Sequence, residues 1–290
     1  MIPRLKIQHD PGEELDRGRW EAGLTFRTYG LEIGVCARPR AILDRVPDRL
    51  PFGWEPAELS EVDRLYSIEL TRDPEDEDGD SWRLWQDGTE IARGTTLEYV
   101  LHGLESELKL YVAEWGKERI FLHAGVVGVH GKAVLLPGYS MAGKTTLVAE
   151  LVRAGAAYYS DDFAVLDPLG MVHPFSTPLQ VREHNTVEQT RWELDRLGGA
   201  AGSDPLPVGL VLLTHFQPGV RFRPRRVTPG RALLELLRYT PARSRPHESI
   251  DTLERVVRSA VVLKGARGEV EAAARIVLDR LLPKDVRHGS

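Results

Sequence analysis

Nine consecutive residues constrain this chain more than any others: Gly138-Tyr139-Ser140-Met141-Ala142-Gly143-Lys144-Thr145-Thr146. They fit G-x-x-x-x-G-K-[ST], a pattern that needs a strand before it and a helix after it. Lys132-Ala133-Val134-Leu135-Leu136-Pro137 supplies a short apolar run of strand type. Leu147, Val148, Leu151 and Val152 then recur at helical spacing, and Gly155 stands where a helix stops. In that context the glycines let the backbone turn sharply and come close to a phosphate. Successive N–H groups and the positive end of the helix converge on the anion. Lys144 is placed to reach β- and γ-phosphate oxygens, and the Thr145 hydroxyl to ligate Mg²⁺. Gly138, Ser140, Ala142, Gly143, Lys144, Thr145 and Thr146 are therefore the candidate nucleotide contacts.

The bulk properties narrow the class. At 290 residues the chain is long enough for one large domain or two ordinary ones. Apolar content of 42% and charged content of 28% are those of a globular protein. A net charge of −5 argues against a dedicated nucleic-acid binder. No apolar run is long enough to span a bilayer, so no membrane partner is expected. Met1-Ile2-Pro3-Arg4-Leu5-Lys6 leads into acidic sequence rather than a signal-peptide core, and the expected compartment is the cytoplasm. Cys36 lies inside a strand-like run and is expected to be a buried structural thiol. A homo-oligomer is compatible with all of this.

The order of elements predicts two domains. Residues 1–115 alternate as strands at Leu24–Tyr29, Leu31–Cys36 and Leu65–Leu70, then form a hairpin about Asp87-Gly88. Residues 40–50 read as a short helix. The acidic run Asp73–Asp80 lacks the distant Glu of a calcium loop and reads as solvated. A helix over 95–114 follows, with an apolar stripe through Leu97, Val100, Leu101, Leu104, Leu108, Tyr111 and Val112. The boundary is placed at 115/116, giving a small N-terminal α/β domain for substrate or partner binding and a catalytic domain over 116–290. In the second domain, Ile120–Val129 and Lys132–Pro137 are joined at His130-Gly131 and must run antiparallel. Val208–Leu213 reads as a central strand. Residues 183–206 read as an irregular excursion with a mobile Gly198–Ser203 segment. Helical periodicity marks 229–239, 250–260 and 269–282.

A second chemical element sharpens the first. Ala156–Asp161 is a strand that ends on Asp161 and Asp162, just after the phosphate loop. One carboxylate at such a strand end can hold Mg²⁺, and its neighbour can accept the proton of an attacking hydroxyl. His123 sits on the strand antiparallel to the one entering the loop, near the γ-phosphate or metal position; the alternative for a lone histidine on an apolar strand is a satisfied core residue.

Together, His123-Ala124-Gly125, the hairpin, Gly138–Thr146 and Tyr159-Ser160-Asp161-Asp162 resemble the catalytic domain of HPr kinase/phosphorylase. The resemblance covers roughly residues 118–180 and is looser beyond. It implies an α/β fold with a PEP-carboxykinase-like P-loop domain built on a mixed sheet, plus the small N-terminal α/β domain. It implies a kinase that uses ATP and Mg²⁺ to phosphorylate a Ser or Thr hydroxyl of a peptide or protein; ribosomal peptide precursors are acceptors within the wider group. Carried over by position, Asp161, Asp162, His123 and Lys144 are the catalytic set, with Thr145 and Asp162 at the metal; which aspartate is the base stays open. The family's Glu-Ile-Arg-Gly-type segment is replaced here by Thr177-Pro178-Leu179-Gln180-Val181-Arg182. HPr recognition and reverse phosphorolysis are therefore not implied, and Arg182 is left as a substrate or phosphate contact. Arg221, Arg223, Arg225 and Arg226 form a basic cluster that either guides an acidic or phosphorylated substrate or is a solvated surface. The alternatives are a small-molecule phosphotransferase of the same fold and a non-catalytic ATP-binding regulatory module.

Overall fold

A computed structural model describes residues 6–7, 21–72, 80–139, 143–175, 179–182, 189–192, 194–242 and 244–281. Ser140, Ala142, the acidic run 73–79 and residues 183–188 lie outside the described residues. The chain divides into two compact units, Met1–Glu118 and Arg119–Ser290. Both are mixed α/β.

The first unit is a mixed sheet of β1 (Ala22–Thr28), β2 (Leu31–Arg38), β3 (Arg64–Arg72), β4 (Asp80–Gln86) and β5 (Thr89–Gly94), with Glu55–Pro56 on the β1 edge. Only the β2–β3 pair among these five runs parallel. Residues 40–49 between them form two 3-10 turns, Arg40–Arg45 and Pro47–Arg49, rather than one helix. Helix α1 (Leu97–Trp115) is capped by Thr96, whose hydroxyl accepts from the Tyr99 N–H, and it buries Val100, Leu101, Leu104, Leu108 and Val112. Beyond its end, the Lys117 N–H donates to the Tyr29 carbonyl at 2.8 Å, which keeps the chain on this unit past Trp115. Cys36 is a free, buried thiol, and burial pushes its pKa up to about 11.

The second unit is organised around β6 (Ile120–Val129). Its later half pairs antiparallel with β7 (Lys132–Pro137) on one side and β8 (Ala157–Ser160) on the other; its first half pairs with β9 (Phe163–Leu166). The β6–β7 turn places both His130 (φ 48) and Gly131 (φ 72) at positive φ, the geometry that matches the twist of a two-residue hairpin. The short β10 (Met171–His173) follows, and β11 (Leu179–Arg182) with β12 (Gln189–Trp192) forms a separate ribbon. The long β13 (Leu206–Phe216) lies parallel to β7 and inside the sheet, the central place that the apolar run Val208–Leu213 predicts. Four strands of this unit were not legible in the sequence: β11 and β12, the second of them inside the stretch read as irregular, and also β14 (Arg225–Arg226) and β15 (Val261–Arg267), the last parallel to β13.

Helices cover both faces of this sheet. Val134 and Leu136 face α2 (Lys144–Arg153) and α5 (Val270–Leu281). Ala133 and Leu135 face α3 (Pro229–Leu237) and α4 (Pro246–Ser259). That is why β7 and β13 read as unbroken apolar runs: successive side chains point to opposite faces, and both faces are dry.

The Gly198–Ser203 segment corrects the expectation of mobility. The Tyr158 N–H donates to the Ala200 carbonyl and the Gly202 N–H to the Tyr158 carbonyl, both at 2.8 Å. The glycines serve close packing: a Cβ on Gly202 would stand 2.0 Å from the Tyr159 ring, and one on Gly199 would stand 2.1 Å from Val152 Cγ1. Gly202→Ala is expected to cost about 1–3 kcal/mol in denaturant unfolding, as overpacking does. Gly230→Ala, where nothing lies within 4 Å of the added carbon, is the control and should change stability far less. Equal effects would show that the Tyr159 contact does not constrain the segment.

Candidate active site

Strand direction gathers the site. β7 and β8 both run antiparallel to β6, so both end at the same edge of the sheet. β13 runs parallel to β7 and β15 parallel to β13, so their ends arrive there too. In α/β sheets this carboxyl edge is where ligands bind. Gly138 leaves β7 at that edge, Asp161 follows β8, and Arg267 closes β15. His123 reaches it from the opposite direction, and its carbonyl accepts from the Gly138 N–H at 3.2 Å.

The segment that leaves β7 reaches α2 at Gly143, with φ 75 and ψ 22. A side chain there would be strained by the backbone and would also stand 2.3 Å from Arg267 Nη2. No side chain caps the α2 N-terminus among the described residues. First-turn helix amides are the kind of group that binds an anion. Lys144 donates through Nζ to the Tyr139 carbonyl at 3.0 Å. Burial lowers the Lys144 pKa to about 8 against the opposing pull of Asp162 and then Asp161. Thr145 is half-buried and Thr146 exposed.

The aspartates sit in a built turn. Ser160 Oγ accepts from the Asp162 and Phe163 N–H groups at 3.2 and 3.1 Å, and the Ala124 N–H donates to the Asp162 carbonyl at 3.1 Å. Asp161 is buried; its carboxylate accepts from the Tyr158 hydroxyl at 3.2 Å and, over a long 3.4 Å, from Thr145 Oγ1. Asp162 is half-buried, and its charge acts on Lys144 and His123. The sequence reading put Thr145 and Asp162 at the metal and left the base open; the carboxylate in reach of Thr145 is that of Asp161. Burial, aided by the Lys144 charge, holds the His123 pKa below its ordinary value and keeps the ring neutral at pH 7. Its Nδ1 is buried without a hydrogen-bond partner, and its ring packs 5.3 Å from that of Phe163. Arg182 closes β11; its side chain lies outside what is described.

Arg267 is the residue that sequence reasoning missed. It is 3% exposed, donates through Nη2 to the Gly143 carbonyl at 2.8 Å, and leaves Nε buried without a partner. No carboxylate answers it among the described residues, and burial alone lowers its pKa. The available signal was Val261-Val262-Leu263, an apolar triplet between two helical periodicities, which would carry the chain back to the carboxyl edge. Among the described residues no cluster of three or more His, Cys, Asp or Glu could hold a metal by itself. Uncapped amides, a lysine with depressed pKa and a buried arginine without a counter-ion are groups that fit a polyphosphate, and the Thr145–Asp161 pair fits its Mg²⁺.

No family model and no curated protein matches the chain. Among solved structures it is similar to the HPr(Ser) kinase/phosphatase from Coxiella burnetii over 55% of this chain and 93% of that one, with TM-score 0.33 and 13% identity. At that distance the likeness carries nothing about activity. No helix of the described residues is long and apolar enough to cross a membrane.

Two outcomes test this electrostatic layout. A bound polyphosphate favours the ammonium form of Lys144, so nucleotide binding should take up a proton near pH 8 and weaken as pH rises through about 8. The free protein should do the opposite: between about 8 and the unfolded value of 10.5 the unfolded chain holds the extra proton, so Lys144 adds stability as pH rises. Calorimetry at pH 8 in two buffers of different ionisation heat measures the uptake, and equal apparent enthalpies would refute it. Arg267→Met should keep or raise the melting temperature, because an unpaired buried charge is removed, yet weaken MgATP binding about tenfold. Unchanged MgATP affinity would leave Arg267 a purely structural residue.

Proposed function

We propose that this chain is an ATP-dependent kinase with a PEP-carboxykinase-like P-loop domain, transferring the γ-phosphoryl group to a Ser or Thr hydroxyl of a peptide or protein. The observation that carries this is the meeting of an uncapped α2 N-terminus, Lys144 and the Asp161-Asp162 turn at one sheet edge. The sequence resemblance described above agrees with it.

In this proposal the α2 amides and Lys144 hold the β- and γ-phosphates and neutralise charge that builds on the transferring group. Mg²⁺, held by Thr145 with Asp161 behind it, supplies further neutralisation when bound. Asp162 orients the acceptor hydroxyl and takes its proton. The acceptor oxygen forms the new bond to the γ-phosphorus while the bond to the β–γ bridging oxygen breaks, and ADP leaves. His123 packs its ring against that of Phe163, the residue after Asp162. The chemistry asks mostly for positioning and charge, which a rigid sheet edge supplies. A cytoplasmic location remains part of the proposal.

Lys144→Ala is expected to abolish MgATP binding in calorimetry; retained affinity would remove the loop assignment. Asp162→Asn is expected to keep MgATP affinity while lowering labelled γ-phosphate transfer at least ~100-fold. Full transfer in that variant would take the base role away from Asp162.

A further inference from the structure

The second unit carries a cleft of about 580 Å³ between α3 and the β14–β15 edge. Its walls include Arg226, Arg231, Leu234, Glu235, Arg238 and Lys264. Glu235 is already answered by Lys264 and stands 4.0 Å from Arg238 Nη1. Arg226 and Arg231 are exposed and pair with no carboxylate among the described residues. On a chain of net charge −5, this is a local concentration of unanswered positive charge.

The cleft has a direction. Arg231, Leu234, Glu235 and Arg238 follow the i, i+3, i+4, i+7 spacing that puts them on one stripe of α3. Seven helical residues rise about 10 Å, the length of roughly three residues of extended peptide. At one end, the Arg238 carbonyl accepts from the Tyr139 hydroxyl, and the Tyr139 carbonyl accepts from Lys144 Nζ. Arg238, one wall of the cleft, is thus tied through its backbone to Tyr139, the residue after Gly138. Leu234, 67% exposed, adds an apolar spot midway. No aromatic residue lines it, whereas single-stranded nucleic acid is usually held on stacked aromatic rings.

We propose that this cleft holds an acidic segment of the phosphate acceptor: about three residues of extended chain rich in Asp or Glu, next to the hydroxyl that is phosphorylated. This rests on the kinase reading above and adds the substrate class. Carboxylates of the segment meet Arg226, Arg231 and Arg238, and the segment's far end is held so that its hydroxyl lies by the loop.

The test uses full-length protein and two labelled synthetic peptides, each with one Ser flanked on both sides by three residues, Glu in one and Lys in the other. Fluorescence anisotropy should give at least about tenfold tighter binding of the Glu peptide, weakening with added salt. Arg226→Glu with Arg231→Glu should lower Glu-peptide affinity at least about tenfold and leave MgATP affinity unchanged. Equal peptide binding by the variant and the parent overturns the cleft while leaving the kinase reading intact. A single-stranded oligonucleotide that displaces the Glu peptide and binds more tightly makes the cleft a nucleic-acid site and likewise overturns it. A parent protein that fails to bind MgATP removes the kinase reading itself, and the acceptor role of the cleft with it.

Discussion

The second unit depends on the hydrogen bonding of one strand. β6 pairs antiparallel with β7, β8 and β9, so the direction of all three is set by its backbone. Because β7 and β8 share a direction, the Gly138–Gly143 segment and the aspartate turn open on the same edge. Had β8 paired the other way, Asp161 would stand a strand's length from Thr145. β6 also admits the helix that follows the loop: a Cβ on Gly125 would stand 2.6 Å from Val148 Cγ2 of α2. A larger residue there would push the helix off the sheet.

The edge so formed concentrates groups that cost stability. A buried guanidinium without a carboxylate, a lysine whose proton is held weakly and an imidazole with an orphaned nitrogen are each unfavourable in a protein alone. Charges of this kind are best explained by what they are arranged to meet. Fixed donors need no reorganisation when a ligand arrives, and in a water-poor site each counts for more than in bulk solvent. The aspartate turn supplies the opposing sign, and its hydrogen bonds to Ser160 and Ala124 hold the two carboxylates in different surroundings. Neighbours in sequence are thereby given different tasks: Asp161 is turned inward to Tyr158 and Thr145, and the charge of Asp162 bears on Lys144 and His123.

Local signals carried much of this. An apolar run before Gly138 and a helical stripe after Lys144 marked β7 and α2. His130-Gly131 fixed a hairpin because few other dipeptides accept positive φ twice. Two-sided burial made β13 readable as a central strand. The errors were also physical. Gly198–Ser203 looked mobile because glycine lowers local order, yet Gly199 and Gly202 are needed where Val152 and Tyr159 approach. β15 escaped notice because a short strand between two helices has no period long enough to distinguish it.

By itself, then, the sequence determined a phosphate-type loop on a strand–helix junction, an acidic pair one strand away and an alternating unit ahead of them, because each is written in residues close together along the chain. Tertiary structure alone decided which aspartate reaches Thr145, that Arg267 lies against Gly143, and that Arg226, Arg231 and Arg238 share a cleft beside Tyr139. Those facts join residues far apart in sequence, and they follow from strand direction and register, which backbone hydrogen bonds settle only once the sheet has assembled.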